Sequence, residues 1–213
     1  FWSDVRKQST DIGTALNTSF RAIEDANPRL QGVFQDVDFA NKQRFPDAML
    51  ERLLQHFERY RMRRADVAST VLGDAYEYLI AKFADDAGKK GGEFYTPRCV
   101  VKLLVEMLEP YKGRIYDPCC GSGGMFVQSA RFVAEHQKNP ADELAICGVE
   151  KTDETGRLCR LNLAVHGLEG DIRHGGNVNS YYDDPHAATG DPEVLPEGGV
   201  VGVFFGGCDP VQD

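Results

Sequence analysis

The chain has 213 residues, of which 42% are hydrophobic and 27% charged, with a formal net charge of −9. That length supports one good-sized domain or two small ones, and the composition is that of a soluble globular protein. No apolar run approaches the roughly 20 residues that a membrane span needs.

Charge is balanced over residues 1–90, so the whole acidic excess lies in 91–213. A chain that grips DNA unaided shows a basic stripe. The one basic run, Arg59, Arg61, Arg63 and Arg64, reads as a solvated helix face, so if DNA is the substrate, much of the phosphate grip is expected from other subunits or missing segments. Asp4, Arg6, Lys7, Asp11 and Arg21 break up any signal-peptide core. Cys99, Cys119, Cys120, Cys147, Cys159 and Cys208 form no C-x-x-C pair, and none has a histidine at ligand spacing. Buried free thiols, a cytoplasmic location and no metal are expected.

Residues 1 to about 90 read as a helical domain. Leu50, Leu53, Leu54 and Phe57 recur at helical spacing, as do Val71, Leu72, Ala75, Tyr78, Leu79 and Phe83. Pro28 and Pro46 mark breaks. The stretch Gly88-Lys89-Lys90-Gly91-Gly92 reads as a flexible hinge and domain boundary. Thr96 is a predicted N-cap and Pro97 a first helical residue, opening a helix to Leu108 with Val100, Val101, Leu104, Met107 and Leu108 inward. Then come a strand at Arg114-Ile115-Tyr116, a helix from Gly124 to His136, a strand from Leu144 to Val149 ended by Glu150, and a helix from Thr152 to Val165. A last apolar strand spans Val200 to Phe205. This alternation predicts a doubly wound α/β domain over 91–213, whose ligands sit at the C-terminal strand ends.

Three constellations carry chemistry. Asp117 ends a strand and precedes the small-residue loop Gly121-Ser122-Gly123-Gly124. Glycines let a bulky ligand approach the backbone, and the helix start offers N–H groups. A carboxylate here repels a pyrophosphate and attracts an ammonium group. Phe126 also stands where a dinucleotide fingerprint started at Gly121 wants its third glycine. The loop therefore suits a zwitterion such as S-adenosylmethionine rather than NAD. Glu150 follows by one β-α-β unit, where a carboxylate accepts both ribose hydroxyls. Phe94 and Tyr95, within Gly92-Glu93-Phe94-Tyr95-Thr96-Pro97, can close over a nucleoside.

Together, Gly92–Pro97, Asp117-Pro118-Cys119-Cys120-Gly121-Ser122-Gly123-Gly124-Met125-Phe126 and Glu150 resemble the modification (M) subunit of type I restriction–modification systems. The segments Leu72–Ile80, Asn162–Leu168 and Asn179–Asp184 are similar to that family too. The resemblance implies a Rossmann-like methyltransferase domain preceded by a helical N-terminal domain. It implies transfer of methyl from S-adenosylmethionine to N6 of adenine in DNA. Partners would be DNA, a specificity subunit that chooses the sequence, a restriction subunit and a second copy of the M subunit. Glu93, Phe94, Tyr95, Thr96, Pro97, Arg98, Asp117, Gly121, Ser122, Gly123, Gly124 and Glu150 would line the cofactor site, with Asn177 beside its adenine ring.

One departure bears on catalysis. The family carries Asn-Pro-Pro-aromatic after the last of these strands, to hold the amine of a flipped adenine and stack on the base. Here the place reads Gly206-Gly207-Cys208-Asp209-Pro210, so the catalytic motif expected near Gly207, Cys208, Asp209 and Pro210 is not there as written. The family is also longer, and an apolar edge strand at Val200–Phe205 would be a liability. A methyltransferase domain incomplete at its C-terminus is expected. The alternative is an inactive or truncated cofactor-binding module that docks a specificity subunit.

Overall fold

The structure is a computed structural model and describes Val5 and residues 10–35, 37–60, 69–180, 186 and 201–202, with only the backbone for 69, 89, 90, 93, 201 and 202. The chain divides into two compact units, Phe1–Ala68 and Ser69–Asp213.

The first unit holds α1 (Ile12–Ala26), a 3-10 turn at Pro28–Leu30 and α2 (Asp47–Glu58). Pro46, extended at φ −58° and ψ 141°, is the N-cap of α2. Ile12 and Leu16 pack on Leu50 and Leu54, with Phe20, Phe39 and Phe45 around them. Of the predicted apolar set, Leu53 and Phe57 are exposed instead.

The second unit holds α3 (Ser69–Ala87), a 3-10 turn at Gly88–Glu93, α4 (Arg98–Leu108), β1 (Gly113–Asp117), α5 (Gly124–Glu135), the one-turn α6 (Pro140–Glu143), β2 (Leu144–Glu150), α7 (Asp153–Val165), β3 (Gly170–His174) and β4 (Val201–Gly202). The strands lie in the order β3-β2-β1-β4, and every pair is parallel. This is the Rossmann-like α/β architecture. Strand order reverses at β1, which places a crevice at its C-terminal end. Ile115, Ile146 and Ile172 present one sheet face to Phe126, Val127, Ala130, Cys159 and Leu163 of α5 and α7. Val101 and Val105 of α4 close the far side of α5 against Met125 and Phe132. Covered on two sides, α5 buries even Gln128 and Ser129.

Several local expectations change. Pro97 is the N-cap of α4 and not its first helical residue, and no side-chain cap is made, so Thr96 does not cap it. Val100 and Met107 are exposed, while Val101 and Val105 are buried. The Gly88–Gly92 segment is a 3-10 turn packed on α3 rather than a loose hinge, and Gly91 lies so close to the Ala84 carbonyl that no Cβ would fit. The sequence places α3 in the helical leader, whereas it packs with the sheet-bearing unit. It does so through the face opposite its apolar periodicity. Gly73, Ile80 and Ala84 are buried, and Val71, Leu72, Tyr78, Leu79 and Phe83 are exposed. The contacts are polar and small. Gly73 meets the His166 ring, Tyr76 Oη donates to the Leu158 carbonyl at 3.4 Å, and Arg131 of α5 bridges Asp74 and Glu77 at 2.6 and 2.7 Å.

Strand β3 was not anticipated. Only Ile172 in it faces the core, while Asp171 and Arg173 pair on the other face at 2.8 Å. Among the described residues, no helix is long and apolar enough to cross a membrane. Cys120 and Cys159 are buried, but Cys99 is exposed and Cys119 and Cys147 are half-buried; Cys208 lies outside the described residues.

Phe126 is 0% exposed at the centre of this packing. Phe126→Ala is expected to destabilise the second unit by roughly 3–5 kcal/mol, read as a lower midpoint in urea unfolding followed by circular dichroism.

Candidate functional site

Three parallel strands deliver their C-terminal residues to one edge: Asp117 from β1, Glu150 from β2 and His174 from β3. The turn Pro118–Gly123 leaves that edge and enters α5. Its backbone N–H groups are taken up one after another. Cys119 N–H donates to Asp117 Oδ1 at 3.0 Å and Cys120 N–H to the Val149 carbonyl at 3.0 Å. Gly121 N–H donates to Glu150 Oε2 at 3.1 Å. Ser122 N–H donates to the Phe94 carbonyl at 2.9 Å, and Gly123 N–H to the Cys120 carbonyl at 2.8 Å. Gly123 has φ 82°, and a Cβ there would lie 2.8 Å from Cys159 Sγ. Both the backbone sign and the close approach of α7 require glycine.

This pattern joins segments far apart in sequence. Phe94 is tied to the loop directly, and Glu150 binds it with one carboxylate oxygen while the other accepts from Thr152 N–H at 2.9 Å. Gly175 N–H donates to the Glu150 carbonyl at 3.1 Å, so the turn after β3 lies on the same edge. Ser180 Oγ donates to the Pro118 carbonyl at 3.0 Å and closes the rim. Asn177 is exposed within that turn.

The carboxylates dominate the electrostatics. Asp117 is 6% exposed and Glu150 8%. Burial first, and then the Glu150 charge, push the Asp117 carboxyl up to about 7 against the opposing pull of the Cys119 N–H. Cys120 is raised well above the usual thiol range by its contact with Cys159 and by burial, so it stays a neutral thiol.

The remaining predicted residues surround this centre unevenly. Phe94 and Tyr95 are half-buried, and Thr96, Pro97 and Arg98 are exposed. Tyr95, Thr96, Arg98 and Gly124 line an open cavity of about 190 Å³ together with Glu77 and Gln128. The Glu93 side chain and the segment Gly206–Pro210 lie outside the described residues. Strand β4 pairs Gly202 with Tyr116, one residue short of Asp117, so the chain there runs toward the same edge. Asn162 of α7 also reaches the loop, its Nδ2 donating to the Ser122 carbonyl at 2.8 Å. In sequence it is a polar residue on the apolar side of a helix. Between residues 181 and 200 only His186 is described. It is buried, with Nε2 3.1 Å from the Gly148 carbonyl.

Comparison with known proteins agrees with this arrangement. The family model for N-6 DNA Methylase matches residues 67–194. The HindI type I restriction enzyme methylase subunit of Haemophilus influenzae is 38% identical over 76% of this chain and 37% of its own length. The MjaIX type I methylase subunit of Methanocaldococcus jannaschii is 36% identical over 83% of this chain and 31% of its own. The chain therefore spans about a third of the length of these relatives. The solved methyltransferase subunit of a type I restriction-modification system from Streptococcus thermophilus shares the fold at TM-score 0.71 and 25% identity, over 86% of this chain and 40% of that one. The match to the family model takes in the loop, both buried carboxylates and the helices that hold them, and the chain belongs to the N-6 DNA Methylase family.

Proposed function

We propose that this chain is the cofactor-holding part of a site-specific DNA adenine N6-methyltransferase, the modification subunit of a type I restriction–modification system. The observation that carries the reading is the state of the loop. Its N–H groups from Cys119 to Gly123 all have partners within the chain, so it offers no cradle for a pyrophosphate. What it presents instead is a buried acid with a raised pKa, which favours a ligand bearing positive charge. S-adenosylmethionine fits, with an ammonium and a sulfonium.

In this reading Asp117 orients the amino-acid portion and Glu150 accepts the ribose hydroxyls on its remaining lone pairs. Gly121, Ser122, Gly123 and Gly124 leave room for the ligand. Glu93, Phe94, Tyr95, Thr96, Pro97 and Arg98 flank it, and Asn177 lies toward its adenine. When bound, the cofactor supplies an electrophilic methyl group. DNA, a specificity subunit, a restriction subunit and a second M subunit are the proposed partners. The acidic excess of residues 91–213 fits a division of labour in which other chains hold the phosphates. A second reading, binding without turnover, is favoured by Gly206-Gly207-Cys208-Asp209-Pro210, which lacks the family's Asn-Pro-Pro-aromatic order.

Calorimetry with S-adenosylmethionine is expected to show one site. Its affinity should fall by up to about tenfold per pH unit as the pH drops below 7 and Asp117 takes up its proton. A folded chain that does not bind sinks the proposal. The same carboxyl predicts a stability effect of opposite sense. Its folded-state pKa lies above the unfolded value, so its contribution is present at low pH and lost as pH rises through about 7. Asp117→Asn should therefore melt higher than the unsubstituted chain at pH 8, with the difference shrinking as the pH falls toward the unfolded value of 3.8, while binding cofactor more weakly. With a specificity subunit and target DNA, transfer of labelled methyl to adenine is the expected result. Cofactor binding without transfer would leave the second reading in place.

A further inference from the structure

We propose that Asn162 is a positioning residue for the cofactor loop: by holding the Ser122 carbonyl it fixes which way the Gly121–Gly124 backbone faces the ligand. Asn162 sits inside α7 and is 1% exposed. An amide is a poor choice for a buried helix position, since asparagine competes with the helix backbone and an unpaired buried polar atom costs stability. Among the described residues its Oδ1 has no hydrogen-bond partner. A leucine would fill the site without that cost.

What the amide gains is one bond, Nδ2 to the Ser122 carbonyl at 2.8 Å. The next peptide group back is gripped from the other side, because Ser122 N–H donates to Phe94 O at 2.9 Å. Ser122 is thus clamped between the segment before α4 and the helix after β2. Cys159, one turn earlier on α7, touches Gly123, so α7 contacts the loop twice. Released from Asn162, the Ser122–Gly123 peptide keeps the Gly123 N–H bond to the Cys120 carbonyl but loses the hold on its carbonyl end, and the ligand-facing surface would be less firmly fixed.

The proposal rests on the cofactor reading above, and its test separates the two. Asn162→Asp replaces the amide donor by a carboxyl that donates only when protonated. Asn162→Leu is apolar and near in volume, so it keeps the core filled. Affinity for S-adenosylmethionine is measured from pH 5.5 to 8 and taken as a ratio to the unsubstituted chain at each pH, because Asp117 and Glu150 face the same loop and act in both proteins. For Asn162→Asp the ratio should stay within about twofold at pH 5.5 and fall at least tenfold by pH 8. For Asn162→Leu it should be low throughout. In the ligand-free chain, exchange of the Gly123 amide, which belongs to the peptide whose carbonyl Asn162 holds, corrected for its intrinsic rate, should lose protection in both variants at pH 8. Unchanged protection together with a pH-independent ratio overturns the proposal. Failure of the unsubstituted chain to bind defeats the cofactor reading, while the exchange measurement still decides the role of Asn162.

Discussion

A buried turn between a strand and a helix must find a partner for each backbone N–H it withdraws from water. The turn after β1 meets that demand by recruiting Asp117, Val149, Glu150 and Phe94, besides its own Cys120 carbonyl. These partners come from the end of β1, the end of β2 and the segment ahead of α4. The loop is therefore the place where the layers of the second unit are registered against one another. A shift of any of the three would strand a donor, at roughly 1–3 kcal/mol for each one left buried and unpaired.

In the proposed reading the same constraint bears on which ligand fits. Loops that bind phosphate leave their amides free and rely on the helix dipole. Here the amides are engaged within the chain, and the groups that converge on the crevice are carboxylates. Helix α5 still begins beside the loop, but a negative ligand there would face Asp117 and Glu150. A cation removes the conflict, and the ribose hydroxyls of a nucleoside can use the acceptor capacity Glu150 retains. The chemistry of the seat follows from which groups the turn itself consumes.

Much of this was legible in the sequence because it depends on local pattern. The strand–acid–glycine–helix order around Asp117 and the second acid one β-α-β unit later both show in the chain order, and Phe126, Val127, Ala130 and Val133 do lie in the core. Other parts depended on packing that a helical wheel cannot see. In α3 most of the larger apolar residues point outward, Ile80 apart, because the contact with α5 and α7 runs through Gly73, Tyr76 and the Arg131 ion pairs. Strand β3 is carried by backbone pairing to β2, with one inward apolar residue too few to make a pattern. The glycines of 88–92 looked like a linker, yet Gly91 is there for a close approach to Ala84. Asn162 carries no local signal of its role, which lies in a carbonyl 40 residues away.

Asp117 carries the tension in this design. A carboxyl buried to 6% exposure beside a second carboxylate would be better replaced, for stability alone, by a neutral residue. The turn offers it only the Cys119 N–H, because the following amides are held by Val149, Glu150 and Phe94. That single donor does not offset burial and the Glu150 charge, which together leave the carboxyl near 7. The fold thus keeps an acid that its own backbone does not neutralise, at the end of its central strand and beside a loop fixed from three directions. Rigidity and residual charge serve one another here. If the loop could relax, its amides would turn to solvate Asp117 and the field in the crevice would fade. With the amides held elsewhere, the carboxyl is left to take up a proton or, in the proposed reading, to meet a positively charged ligand.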